Sequence, residues 1–242
     1  MPSGRPAALI GSILIGVFEV PFYHVLTMTI LVIVTNILLY KQYFKIEEEQ
    51  QESKEKVKLP LRKLKPLFIL GFLAMVIMGN EGAIEHWSSI YLTEVVNVNS
   101  ESLAGIGFTL FSIMMTVGRF FGDGISAKIG SARIVILGCA LASVGYLFVL
   151  LEGLVFSVIG FGIIGLGLSV VIPELVRIAG TTENISASKS ISFVSGVGFL
   201  GFLLGPIILG YISDSFNLKM SFVFLLCLTS LAVIVSAFKL KK

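Results

Sequence analysis

The stretch GRFFGDGISAKIGSAR, residues 118–133, covers the junction between two long apolar segments of this 242-residue chain. It carries three basic residues, one aspartate and several glycines. The segments on either side, Leu103–Phe121 and Ile134–Leu151, are mostly apolar. Apolar blocks joined by short charged connections are typical of a chain that crosses a lipid bilayer several times.

The composition of the whole chain agrees with this pattern. Hydrophobic residues make up 55% of it and charged residues 14%, and the mean hydropathy is +0.96. These values lie far outside those of soluble globular proteins. Because a helix satisfies its backbone hydrogen bonds within lipid, we predict an all-α integral membrane protein.

Seven segments are long and apolar enough to span a bilayer, which takes ~20 helical residues. They are residues 20–40, 67–92, 103–121, 134–151, 154–173, 191–212 and 222–238. An earlier apolar segment is too short to cross, so we expect residues 1–18 to be the remnant of a truncated helix. Closely spaced glycines in the fifth and sixth spans predict close helix packing there. They are Gly160, Gly162, Gly165, Gly167, Gly198, Gly201 and Gly205.

The Lys and Arg residues predict the orientation of the spans. All of them except Arg5 and Lys219 fall in four segments on one side of the alternating path: 41–65, 119–133, 177–189 and 239–242. Because positive charges favour cytoplasmic loops, we expect this side and the C-terminus to be cytoplasmic.

The one long polar segment, residues 41–66, has charges of both signs and is typical of a solvated linker. It separates a single helix at 19–40 from a set of six at 67–238. We therefore expect a cytoplasmic interdomain linker between them, and a cytoplasmic tail at 239–242.

The sequence offers little support for catalysis. Its two histidines, His24 and His86, are not accompanied by a G-x-S-x-G nucleophile motif. Cys139 and Cys227 lie in apolar blocks without the spacing of a metal or disulfide site. We expect no enzymatic activity, no catalytic residue, no metal, no cofactor and no nucleic-acid partner.

Residues 118–133 carry a more specific signal. Their glycines would permit a tight turn, and Asp123 could cap a helix or pair with a cation. The stretch resembles the cytoplasmic-loop signature of the major facilitator superfamily, and a gating role is what this resemblance implies. The matching residues are Gly118, Arg119, Gly122, Asp123, Lys128, Gly130 and Arg133. Gly124 and Ala127 depart from it, since basic residues are common there, so we expect a weaker electrostatic latch.

Three further stretches, at 81–92, 160–180 and 192–222, resemble helices seven, ten, eleven and twelve of bacterial members of this superfamily related to fucose permease. The resemblance implies that six helices form the C-terminal half of a major facilitator fold, as a 3+3 inverted repeat. It implies a substrate bound near the midplane between two halves. The chain would then be a fragment of a twelve-helix transporter, lacking an N-terminal half, or would work with a partner subunit.

The least expected polar residues lie in the second span. Glu81 falls ~3 Å from its middle at 1.5 Å per residue, where a charge costs roughly 2.5 to 3.5 kcal/mol. Glu85 follows one turn further out on the same face, and two ionised carboxylates there would repel, so one is expected to hold a proton. We predict a substrate or proton site at Asn80, Glu81, Glu85, His86 and Trp87.

Other roles remain open for these residues. Glu81 could instead pair with a cation or cap a backbone break at Gly79 and Gly82. Trp87 and Tyr91 fit either an interfacial belt or a platform for a sugar ring.

Charged residues near the ends of later spans suggest gates. Glu174 and Arg177 are expected to form an intrahelical or gate ion pair. Asp214 is expected to make a cap or gate contact.

Together these features predict a proton-coupled secondary transporter of a small, sugar-like solute in the inner membrane, working by alternating access. Its partners would be the solute, protons and the lipid bilayer. The alternative is a membrane scaffold without transport, or an inactive remnant.

Overall fold

The computed structural model describes residues 26–27, 29–31, 33–37, 65–182 and 185–240. The chain divides into two compact units, Met1–Leu59 and Pro60–Lys242. In the first unit the described residues are helical and lie within the predicted span 20–40. The predictions for residues 1–18, most of the linker 41–66 and the last two residues lie outside the described residues.

In the second unit the described residues form helices and no strand. The helices are α1 (Lys65–Glu94), α2 (Glu101–Ala104), α3 (Ile106–Ile129), α4 (Ser131–Val149), α5 (Leu154–Leu168), α6 (Val171–Gly180), α7 (Ala187–Ser215) and α8 (Leu218–Lys239).

These helices make six candidate membrane spans among the described residues. The short α2 joins α3 in the span Ser102–Ile129, and α5 joins α6 in the span Leu154–Gly180. The all-α fold and the six predicted spans of residues 67–238 are therefore confirmed.

The third span differs from its prediction at one end. The apolar pattern places its end at Phe121, with a turn through residues 118–133, but α3 continues to Ile129. The turn is confined to Gly130, whose φ of 87° is readily adopted by glycine. Hydropathy reports where lipid contact ends, whereas a polar helix can continue into water. Gly118, Gly122 and Asp123 are therefore helical residues.

Close packing at the predicted glycines is confirmed. A methyl group on Gly201 of α7 would lie 2.0 Å from the Met75 carbonyl oxygen of α1. A methyl group on Gly165 of α5 would lie 2.2 Å from the Phe111 carbonyl oxygen of α3. Both distances are too short for any side chain, so glycine is what allows these backbones to touch.

A buried aromatic cluster joins the helices at the end where α4 meets α5, called here the Glu152 end. The rings of Tyr91 and Phe222 lie 4.3 Å apart between centroids, and Phe161 lies 6.0 Å from Phe222. The Tyr91 hydroxyl donates to the Val149 carbonyl oxygen at 3.0 Å. Tyr91 is fully buried, so its predicted place in an exposed interfacial belt or sugar platform is wrong.

Candidate functional site

Asn80 lies at the middle of α1 and is fully buried. Its Oδ1 accepts hydrogen bonds from the Tyr146 hydroxyl of α4 at 2.6 Å and from Thr229 Oγ1 of α8 at 3.0 Å. Its Nδ2 donates to the Val76 carbonyl oxygen at 2.7 Å. Both lone pairs of Oδ1 are engaged with neighbouring helices. The amide therefore links α1 to α4 and α8, and its assignment to a substrate or proton site stays a prediction.

Glu81 follows Asn80 and is also buried, with 6% of its surface exposed. Consecutive helical residues point about 100° apart, so Glu81 faces a different side of α1 from Asn80. The structure thus places a carboxyl group inside the unit, about halfway along a helix that is long enough to span a membrane.

Glu85 lies one turn beyond Glu81 but is exposed. The neighbouring helices cover α1 at Glu81 and leave it open at Glu85. The two carboxyl groups share a helix face, as their spacing predicts, but they occupy different environments.

His86 and Trp87 contact the backbone of the unit. His86 is exposed, and its Nδ1 lies 2.8 Å from the Gly82 carbonyl oxygen. Because a carbonyl only accepts, Nδ1 carries the proton in this arrangement. Trp87 is half-buried and donates from Nε1 to the Pro206 carbonyl oxygen of α7 at 3.1 Å. The indole N–H is thus already paired with protein.

A charged cluster lies at the opposite end of the unit, where α3 meets α4, called here the Gly130 end. Arg177 Nη2 of α6 lies 3.1 Å from Asp123 Oδ1 of α3, and Arg177 Nη1 lies 3.1 Å from Glu174 Oε1. Arg177 Nη1 also donates to Ser126 Oγ at 3.3 Å. The sequence predicts Asp123 as part of a motif and the Glu174–Arg177 pair separately. The structure joins them into one cluster between α3 and α6.

Burial differs across this cluster. The Asp123 side chain is 80% exposed and that of Glu174 only 2%. An exposed ion pair contributes about 0 to 1 kcal/mol, whereas a buried carboxylate that loses its cation is strongly destabilising. Arg177 therefore matters more as the partner of Glu174 than as the partner of Asp123.

The other motif residues have separate positions. Arg119 Nε donates to the Ser169 carbonyl oxygen at 3.4 Å. Lys128 and Arg133 are exposed on either side of the Gly130 turn. Asp214 is exposed near the end of α7, and within residues 65–182 and 185–240 it forms no ion pair.

The ion pair at the Glu152 end joins two residues that sequence reasoning does not single out. Lys219 at the start of α8 pairs with Glu152 in the connection between α4 and α5. Opposite charges in two short connections on the same side are the signal that could have indicated it. No sequence pattern indicates Tyr146 or Thr229 as partners of Asn80, because each is a common residue within an apolar span.

The sequence model of the Major Facilitator Superfamily matches this chain in two overlapping segments, residues 7–182 and 97–242. The chain belongs to the Major Facilitator Superfamily. The family predicted from the sequence is therefore confirmed.

Relatives agree with this assignment. The chain is 30% identical over 173 residues to membrane protein MosC of Rhizobium meliloti, covering 71% of this chain and 42% of that protein. It is 32% identical over 166 residues to an uncharacterised MFS-type transporter of Yersinia pestis, covering 65% of this chain and 43% of the other. The chain therefore spans about two fifths of the length of the relatives it matches.

Solved structures show the same fold. A crystal structure of the peptide transporter POT, an E310Q mutant in complex with alafosfalin, superposes with a TM-score of 0.66 at 19% identity. The match covers 74% of this chain and 39% of that one. A complex of POT with sulfate gives 0.65 at 18% identity, covering 72% and 37%. At such identities the likeness concerns the fold alone.

Proposed function

We propose that residues 65–240 form the C-terminal half of a proton-coupled secondary transporter, in which Glu81 binds the solute or the proton. The observation that carries this proposal is a buried carboxyl group at the middle of a spanning helix. An ionisable residue there is costly in lipid, and such residues commonly mark a substrate or ion pathway.

The transport cycle proposed is alternating access between two halves. In transporters built from repeats, the solute lies near the midplane where the halves meet. The second half would be the remainder of a twelve-helix protein or a partner subunit, since the chain spans about two fifths of its relatives. Glu85, exposed one turn from Glu81, would pass protons between the buried carboxyl group and water.

The Gly130 end is proposed to be cytoplasmic, in an inner membrane, because the basic connections fall on this side. Arg177 would then act as a gate contact between α3 and α6. A sugar-like solute is suggested by the resemblance to fucose-permease relatives, and the exposed part of Trp87 would offer it a ring to pack against.

The test uses the protein in its full gene context, reconstituted in vesicles that contain a pH-sensitive dye. A panel of mono- and disaccharides is added, and proton entry is recorded from pH 5 to 8. We expect one class of sugar to drive proton entry with the unmodified protein. Glu81→Gln should abolish that entry while membrane insertion is retained.

Glu94→Gln is the matched control, because Glu94 is an exposed glutamate at the end of the same helix. It should leave proton entry unchanged. Equal proton entry with Glu81→Gln at every pH would remove Glu81 from the mechanism. An inserted protein that moves none of a wider solute panel would favour the scaffold alternative.

A further inference from the structure

The span Leu154–Gly180 is interrupted near its middle. The helix α5 ends at Leu168 and α6 begins at Val171, which leaves Ser169 and Val170 between them. Pro173 lies in the first turn of α6 and has no N–H, so it cannot donate to the carbonyl four residues earlier. That carbonyl belongs to Ser169, and within residues 65–182 no backbone N–H donates to it.

An unpaired carbonyl is costly at membrane depth, where no water replaces the missing donor. Here the Arg119 Nε–H of α3 donates to the Ser169 carbonyl oxygen at 3.4 Å. A donor that carries a positive charge makes a stronger hydrogen bond than a neutral one. The side chain of a different helix thus supplies the donor that Pro173 lacks.

Two glycines bring α3 against the interruption. A methyl group on Gly118 would lie 2.2 Å from Ser169 Oγ, and one on Gly122 would lie 2.4 Å from Val170 Cγ1. The two glycines lie one turn apart and contact the two residues that separate α5 from α6. Larger residues would push α3 away, and Arg119 would no longer reach the carbonyl.

We propose that Arg119 is a positioning residue for a hinge at Ser169 and Val170. Its guanidinium donates to the Ser169 carbonyl, which Pro173 leaves without a backbone donor, and this holds α6 in the observed orientation. Loss of Arg119 lets α6 change its angle to α5. This role is separate from the ion pair of Asp123 with Arg177, which attaches α6 to α3 further along. It goes beyond the proposed transport activity, because it holds for any solute.

The test is a double-mutant cycle on the full chain in lipid nanodiscs, read by hydrogen exchange of the α6 amides, residues 174–180. Arg119→Gln should speed their exchange about tenfold, as expected for losing a hydrogen bond to a charged group. Pro173→Ala restores a backbone donor to the Ser169 carbonyl. In that background Arg119→Gln should change the exchange less than twofold.

Asp123→Asn is the matched control, since it removes the other attachment of α6. Its effect should be the same with Pro173 and with Ala at position 173. An equal effect of Arg119→Gln in both backgrounds would overturn the proposal, because Arg119 would then act without the released carbonyl.

The experiment also decides the proposal if the Arg119→Gln variant fails to fold. If Arg119→Gln folds only together with Pro173→Ala, the dependence on the released carbonyl is confirmed. If it fails to fold in both backgrounds, Arg119 has a general structural role and the hinge assignment is wrong.

Discussion

The two ends of the six-helix unit are held together by different chemistry. At the Glu152 end, buried rings of Tyr91 and Phe222 pack at 4.3 Å and a tyrosine hydroxyl pairs with a backbone carbonyl. At the Gly130 end, Arg177 joins α3 and α6 through charged and hydroxyl groups, half of its own side chain being exposed.

This difference predicts how each end can change. The ion pair that joins α3 to α6, Asp123 with Arg177, is exposed, so its separation costs little. Separating the rings would leave unfilled space inside the unit. The Gly130 end can therefore rearrange at low cost. The proposed hinge at Ser169 and Val170 also lets α6 move at this end.

The largest effect should come from the Glu152 end. Phe222→Ala removes a fully buried ring that lies against three other aromatic rings. We expect the free energy of unfolding to fall by about 3 kcal/mol, measured by unfolding the purified chain in mixed micelles. Phe238→Ala is the control, because this ring is 79% exposed. Equal losses for the two variants would contradict the packing argument.

A smaller effect is expected from the buried part of the Gly130 cluster. Arg177→Gln leaves the buried Glu174 carboxylate without its cation, at a cost of about 2 kcal/mol. Adding Glu174→Gln should recover most of that loss, since a neutral amide needs no cation. The same unfolding measurement applies, and a double variant as unstable as the single one would show that Arg177 stabilises the unit in another way.

The smallest effects should come from the exposed ion pairs, one at each end. Asp123→Asn and Lys219→Gln should each lower stability by no more than about 0.5 kcal/mol. Both losses should shrink further when salt is raised from 0.05 to about 1 M, because screening weakens exposed pairs. A loss above about 2 kcal/mol at either end would mean that the surface pair, and not the buried contacts, holds that end.

Much of the fold could be predicted from the sequence. The six spans of residues 67–238 follow from apolar runs of membrane length, and the glycine spacing predicts close packing of α5 and α7 but not which helices they meet. The end of α3 could not be predicted in this way, because Arg119, Asp123 and Lys128 interrupt the apolar pattern but remain helical.

For the candidate site, the sequence predicts where Glu81 lies along its helix but not what surrounds it, and its role stays a prediction. The sequence predicts Glu81 near the middle of the second span, since counting residues along one helix gives the position along that helix. It also supplies the Pro173 that weakens a helix and the motif residues that identify the family.

Only the tertiary structure decided which of these residues meet. It buries Glu81 and exposes Glu85, pairs Asn80 with Tyr146 and Thr229, and brings Arg119 to the carbonyl released by Pro173. These partners lie about 50 to 150 residues apart along the chain. Their meeting depends on how each helix is rotated against its neighbours, which packing of the whole unit determines and local sequence patterns do not.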